Sequence, residues 1–142
     1  MSAPLVACQN LREEFFALLR GELAHYGIRL AAWDNDLVKD APALRSRLKE
    51  DEPCAIACAL YFPFEETLEP LLALRQLENP PALIFLSTSK STLSRLPPPA
   101  KDVHFVGPPY EIKHVLGLIR GVVWAKLGDD VSTLKLRIPR EP

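Results

Sequence analysis

Residues 54–60, with the sequence Cys-Ala-Ile-Ala-Cys-Ala-Leu, contain no charged side chain and no alternation of apolar with polar residues. A strand that helices cover on both faces has this pattern, because neither face meets water. Pro53 stands directly before the stretch and marks the start of this unit. We therefore predict that residues 54–60 form the central strand of a parallel sheet.

Four further apolar runs flank this stretch, and helical patterns of leucine, isoleucine and valine separate them. The predicted strands are Leu5–Cys8, Ile28–Trp33, Cys54–Leu60, Ala82–Leu86 and Val103–Val106. Regular alternation of strands and helices predicts a flavodoxin-like α/β fold, a three-layer sandwich with a parallel sheet in the order 2-1-3-4-5. Pro97, Pro98 and Pro99 cannot lie inside a regular helix, so the helix before the fifth strand is expected to be short or missing.

Polar and proline residues predict where the helices begin. The side chain of Asn10 is expected to cap the first helix, and Asp34 or Asp36 the second. Pro70 is expected within the first turn of the third helix, where a proline removes no hydrogen bond. The last helix is expected from about Tyr110 to Leu127.

The length of 142 residues suits one domain, which we assign to residues 1–128, with residues 129–142 as a tail or linker. The 17 basic and 18 acidic residues give a net charge of -1, which argues against nucleic-acid binding by this domain. The uncharged runs are too short for a membrane span, and the first residues do not resemble a signal peptide. We expect a cytoplasmic protein without a membrane contact.

The residue types that carry catalysis or bind metal are scattered. Cys8, Cys54 and Cys58 are an odd number of thiols in apolar segments, so buried thiols are expected rather than a disulfide framework. A phosphatase loop would need an arginine at position 14, where Glu14 stands. No metal-ligand spacing and no glycine-rich phosphate loop occurs. We therefore predict no catalytic residue, no metal, no cofactor and no enzyme activity.

Three segments resemble the receiver domain of bacterial response regulators, the CheY-like fold. They are the third strand with its loop proline at Pro63, the fourth strand 81–87, and the fifth strand ending in Gly107-Pro108. The resemblance covers about residues 3–127. It places the family's acidic pair on the segment Cys8-Gln9-Asn10, its phospho-accepting aspartate on Ala59, its switch hydroxyl on Leu86 or Ser87, and its lysine on Gly107.

The acidic pair, the phospho-accepting aspartate and the lysine of that pocket are therefore all replaced. Amide side chains do not supply the charge that Mg²⁺ prefers, and an alanine is no nucleophile. The resemblance implies a degenerate receiver pocket of Gln9, Asn10, Ala59, Leu86, Ser87, Gly107 and Pro108. Such a pseudo-receiver would be a non-catalytic regulatory domain that acts in bacterial signalling or transcription regulation without phosphorylation.

Within that class, the segment Gly107-Pro108-Pro109-Tyr110 before a helix with Leu116, Arg120 and Trp124 is similar to the N-terminal domain of FleQ-type flagellar master regulators. Circadian-clock pseudo-receivers are the second comparison. The partners that this implies are a second copy of the chain, as a homodimer, or an effector protein or domain. The alternative is a small flavodoxin-like enzyme or ligand-binding module that uses the crevice at the strand ends.

Two further features have more than one interpretation. Gly117 and Gly121 lie four residues apart on the last helix, with Trp124 nearby. They either let that helix pack closely on its own sheet or form an interface with another chain. The aromatic residues Tyr61, Phe62 and Phe64 follow the third strand, where they form either a contact patch or a plug in the vacated pocket.

Overall fold

The computed structural model describes residues 3–61, 64–87, 89–90, 96, 101–108 and 110–130. Residues 129 and 130 are described by their backbone only. Five parallel strands form one sheet in the order β2-β1-β3-β4-β5. They are β1 (Leu5–Gln9), β2 (Arg29–Ala32), β3 (Ala55–Leu60), β4 (Ala82–Ser87) and β5 (Val103–Val106). The flavodoxin-like sheet predicted from the sequence is confirmed.

Helices cover both faces of the sheet. They are α1 (Glu13–Ala24), α2 (Ala41–Asp51), α3 (Glu65–Ala73) and α4 (Ile112–Asp130). One core layer joins the sheet to α1 and α4, and the other joins it to α2 and α3. Within the described ranges, no helix is long and apolar enough to cross a membrane.

Two predictions fall largely or wholly outside the described residues. The helix expected between β4 and β5 falls on residues 88–100, of which only Ser89, Lys90 and Leu96 are described. The predicted tail continues through residues 131–142, which also lie outside the described part of the chain. Helix α4 itself extends to Asp130, past the domain boundary assigned at residue 128.

The two faces of the central strand β3 differ in side-chain size. Its alanines, Ala55, Ala57 and Ala59, face α1 and α4, whereas Ile56, Cys58 and Leu60 face α2 and α3. All six residues are buried, as the uncharged sequence predicted. Because the alanine side chains are short, the two helices on that face can approach the strand closely.

The structure corrects the predicted helix starts. Asn10 does not cap α1, because its backbone is left-handed, with φ 63°, and the helix begins only after Arg12 without a side-chain cap. Neither Asp34 nor Asp36 caps α2, whose cap is Asp40, accepting a hydrogen bond from the Ala43 amide at 3.1 Å. Pro70 lies beyond the first turn of α3 because the helix already begins at Glu65.

At the amino ends of β4 and β5, two cations hold one carboxylate. Asp102 Oδ2 lies 3.9 Å from Arg75 Nη2 and 3.9 Å from Lys126 Nζ. Arg75 also donates to the carbonyls of Pro81 and Lys101, and Lys126 donates to that of Pro80 at 2.9 Å. We call Arg75, Asp102 and Lys126 the amino-end clamp, since it ties the 3-10 turn after α3 (Leu74–Gln76) and α4 to the loops that precede β4 and β5.

Candidate functional site

The carboxyl ends of the strands bring together the residues to which the sequence assigned a pocket. Gln9 ends β1, Ala59 lies one residue before the end of β3, and Ser87 ends β4. Leu86 pairs with Ala59 across the β3–β4 ladder, and Gly107 follows β5 directly. Ligands of doubly wound sheets bind at this edge, so its chemistry determines what the protein can do there.

Gln9 uses its amide to hold the chain that follows β2. Its Nε2 donates to the carbonyls of Asp34 at 2.9 Å and Asn35 at 3.1 Å. The side chain is buried, and its Oε1 has no hydrogen-bond partner among the described residues. A carboxylate at this position could not donate to either carbonyl, so the bonds require the amide.

Asn10 links three segments of this edge. Its backbone amide donates to Asn35 Oδ1 at 3.1 Å, and its Nδ2 donates to the Ala59 carbonyl at 3.3 Å. The left-handed backbone that directs the side chain there is one that asparagine tolerates better than most residues. Both amides therefore connect strand ends to one another.

The remaining residues of the assigned pocket offer little charge or reactivity. Ala59 and Leu86 are buried in the core layer under α1 and α4. The Ser87 hydroxyl is buried and donates to the Ser89 carbonyl at 2.7 Å. Asp34, the nearest acid predicted after β2, accepts a hydrogen bond from the Asp36 amide at 2.9 Å, as turn chemistry requires.

An open crevice of 380 Å³ lies between these strand ends and the first turns of α1 and α4. Its described lining is largely apolar and aromatic: Leu11, Arg12, Phe15, Ala59, Tyr61, Pro108 and Tyr110. We call it the strand-end crevice. Phe15 and Tyr110 meet edge to face with their ring centroids 5.8 Å apart, which fixes one wall. No carboxylate is among the described lining residues.

The Tyr110 phenol is a polar group of the crevice with a raised pKa. Burial raises the pKa of Tyr110, the neighbouring Tyr61 hydroxyl raises it further, and the positive charge of Arg12 opposes the rise. The Tyr110 phenol therefore stays protonated. The sequence analysis did not assign Arg12, Phe15 or Tyr110 to a site. Arg12 and Tyr110 lie in the segments that follow β1 and β5, and this position could have identified these two residues.

The three aromatic residues after β3 do not act as one group. Phe64 is buried in the core layer under α2 and α3, on the other face of the sheet. Tyr61 is 45% exposed and lines the crevice, whereas Phe62 lies outside the described residues. A contact patch or plug that includes Phe64 is therefore wrong, because the side chain packs below the sheet before α3 begins.

Gly117, Gly121 and Trp124 form the outer face of α4. Both glycines are exposed, and a Cβ atom added at either would meet no atom within 4 Å. Trp124 is 48% exposed on the same helical face. Close packing of these glycines on their own sheet is thus wrong, because the sheet contacts come from Val115, Ile119 and Val122.

The thiols and histidines provide no reactive cluster in the described part of the chain. Burial raises the pKa of Cys8 to about 12, and burial followed by the proximity of Cys8 raises that of Cys58 to about 12. Such thiols are inert, since the thiolate is the reactive form. Among the described residues, no three of the histidines, cysteines and acids lie close enough to hold a metal ion.

Comparison with known proteins identifies the fold. No family model and no curated protein matches the sequence. A response regulator from Thermotoga maritima has a TM-score of 0.63 and 15% identity, with 85% of this chain and 98% of that chain covered. The chain has the receiver fold. The signal receiver domain of a putative Luxo repressor protein from Vibrio parahaemolyticus has a TM-score of 0.63 and 12% identity, with 92% of this chain and 97% of that chain covered.

The receiver fold also occurs within longer chains. NtrX from Brucella abortus covers all of this chain with 31% of its own length, at a TM-score of 0.59 and 14% identity. Another match is the response regulator structure of TrrA in complex with the histidine kinase ThkA, with a TM-score of 0.60, 13% identity, and 84% of this chain and 97% of that chain covered. At these identities the likeness concerns the fold.

Proposed function

We propose that this chain is a receiver-like regulatory domain that accepts no phosphoryl group and acts through protein contacts. The observation that carries the proposal is the methyl group of Ala59 at the end of the central strand, where the receiver resemblance places the nucleophile. Without a carboxylate there, no acyl phosphate can form at this position.

The amide side chains at the end of β1 support the same conclusion. Gln9 and Asn10 stand where the resemblance places the Mg²⁺-binding acids, and the side-chain amide of each donates hydrogen bonds to backbone carbonyls. Their neutral oxygens do not replace the carboxylates that Mg²⁺ prefers. In this proposal the pocket of Gln9, Asn10, Ala59, Leu86, Ser87, Gly107 and Pro108 is a degenerate receiver pocket that resembles that of a FleQ-type pseudo-receiver.

The proposed contact surface is the outer face of α4. Gly117 and Gly121 give it low relief, and Trp124 adds an exposed aromatic side chain, a residue type that often dominates protein interfaces. The partner we propose is a second copy of the chain, and an effector domain is the second candidate. The complex of TrrA with a histidine kinase is an example of this fold in a protein contact.

Treatment with small phosphodonors tests the proposal. After incubation with acetyl phosphate and Mg²⁺, intact-protein mass spectrometry is expected to find no acid-labile phosphate on the chain. A phosphorylatable receiver, treated in parallel, verifies the donor. A stoichiometric acid-labile phosphate would overturn the proposal, and the variants Asp34→Asn and Asp36→Asn would then test the carboxylates that follow β2.

A further inference from the structure

The strand-end crevice has the size and the walls of a small-molecule site. Its 380 Å³ lies within the ~300–1,000 Å³ that is typical of ligand pockets. Phe15, Tyr61 and Tyr110 provide aromatic surfaces, and Leu11 and Pro108 provide aliphatic ones. Flat aromatic molecules are bound well by such walls, because offset or edge-to-face ring contacts add to the burial of apolar area.

The charge of the crevice selects the kind of aromatic molecule. Arg12 is its one charged residue among the described lining, and within the described residues its guanidinium forms no hydrogen bond or ion pair. By contrast, Arg29 and Arg75 donate to backbone carbonyls, and Arg20 and Arg120 lie over aromatic rings. The Tyr61 and Tyr110 hydroxyls add donors, so the polar groups of the crevice are complementary to an anion.

We propose that the strand-end crevice binds a small planar aromatic anion. Its ring system lies against Phe15, Tyr61 and Tyr110, and its carboxylate or other anionic group faces Arg12. This inference goes beyond the proposed function, since it gives the edge that accepts no phosphoryl group a ligand of its own. A ligand held there contacts α1, β3 and the start of α4, and so lies at the base of the helix that carries the proposed contact face.

Two fluorescent probes that differ only in one anionic group test the proposal. Anilinonaphthalene sulfonate is aromatic and anionic, and N-phenylnaphthylamine is its uncharged parent. Both are titrated into the natively folded chain, and amide NMR locates the bound probe. We expect saturable binding of the sulfonate with shifts at Leu11, Tyr61 and Tyr110.

The variant Arg12→Gln separates charge recognition from general apolar binding. It is expected to weaken sulfonate binding about tenfold, as the loss of a hydrogen bond to a charged group does, and to leave the uncharged probe unchanged. Arg45→Gln, an exposed position on α2, is the matched control and should change neither. Circular dichroism and the melting temperature verify that each variant is folded.

Three outcomes would overturn the proposal. One is equal weakening of both probes by Arg12→Gln, and another is no effect on either. The third is a set of shifts confined to Gly27 and Arg29, which line a separate apolar hollow beside β2. None of these outcomes bears on phosphorylation, so failure of this inference is distinguishable from failure of the proposed function.

Discussion

At the amino ends of β4 and β5, two cations are paired with one carboxylate, whereas the described lining of the strand-end crevice at the carboxyl ends holds one cation and no carboxylate. The amino-end clamp joins one carboxylate to two cations, and each cation also donates to a carbonyl. At the carboxyl ends, neutral amides of Gln9 and Asn10 connect the strands. The one cation of the strand-end crevice, Arg12, has no partner among the described residues.

The two ends differ in whether their polar side chains are already bonded within the chain or are available to a ligand. Polar groups that are fully satisfied within the chain stabilise it and are not available to a ligand. A cation at the rim of an aromatic crevice contributes little to folding and is available for binding. The described lining of the strand-end crevice thus contains no carboxylate and one group that suits an anion.

Among the variants considered, Gln9→Glu should have the largest effect on stability, because it places a charge at the neutral carboxyl end of β1. A buried carboxylate cannot donate to the carbonyls of Asp34 and Asn35, so we expect a loss of about 3 kcal/mol in the free energy of unfolding. Urea denaturation at neutral pH measures it. Gln76→Glu, at an exposed position, is the matched control and should stay within ~0.5 kcal/mol. Equal effects of the two variants would mean that the Gln9 amide has no special role.

An arginine-to-glutamine substitution at each end of the strands compares the two regions directly. Arg75→Gln removes the ion pair with Asp102 and weakens two bonds to carbonyls, for an expected loss of about 1–2 kcal/mol. Arg12→Gln should stay within ~0.5 kcal/mol, because its guanidinium makes no hydrogen bond or ion pair with the described residues that folding would lose. Thermal and urea unfolding of both variants measure the difference. A larger loss at Arg12 than at Arg75 would reverse our assignment of the two ends.

At the proposed contact face of α4 we expect a smaller change in stability, together with a change in oligomeric state. Gly121→Leu should raise stability by about 0.5–1 kcal/mol, since leucine favours helix over glycine and meets open space there. It should also shift the chain to monomer in sedimentation velocity. Ala73→Leu, exposed on α3, should leave association unchanged. Continued association of Gly121→Leu would exclude this face as the interface.

The sheet could be predicted from the sequence because its signal is local. An uncharged run such as 54–60 has few alternatives to a covered strand, and the proline and glycine residues separate the units. The helix starts at α2 and α3 were missed by a few residues, and other failures concern contacts between distant residues. Asn10 fits a helix cap by its type, yet its side chain bonds to Ala59, 49 residues away. The burial of Phe64 and the contact of Phe15 with Tyr110 likewise depend on packing that no local pattern encodes.

The absence of a Mg²⁺ site at the carboxyl edge is the central claim, and a titration with Mg²⁺ followed by amide NMR tests it most directly. The natively folded chain is titrated in parallel with a potassium salt at equal ionic strength. The account predicts that the amides of Gln9, Asn10 and Ala59 shift no more with Mg²⁺ than with the matched salt. Saturable shifts at these three residues with Mg²⁺ alone would contradict it.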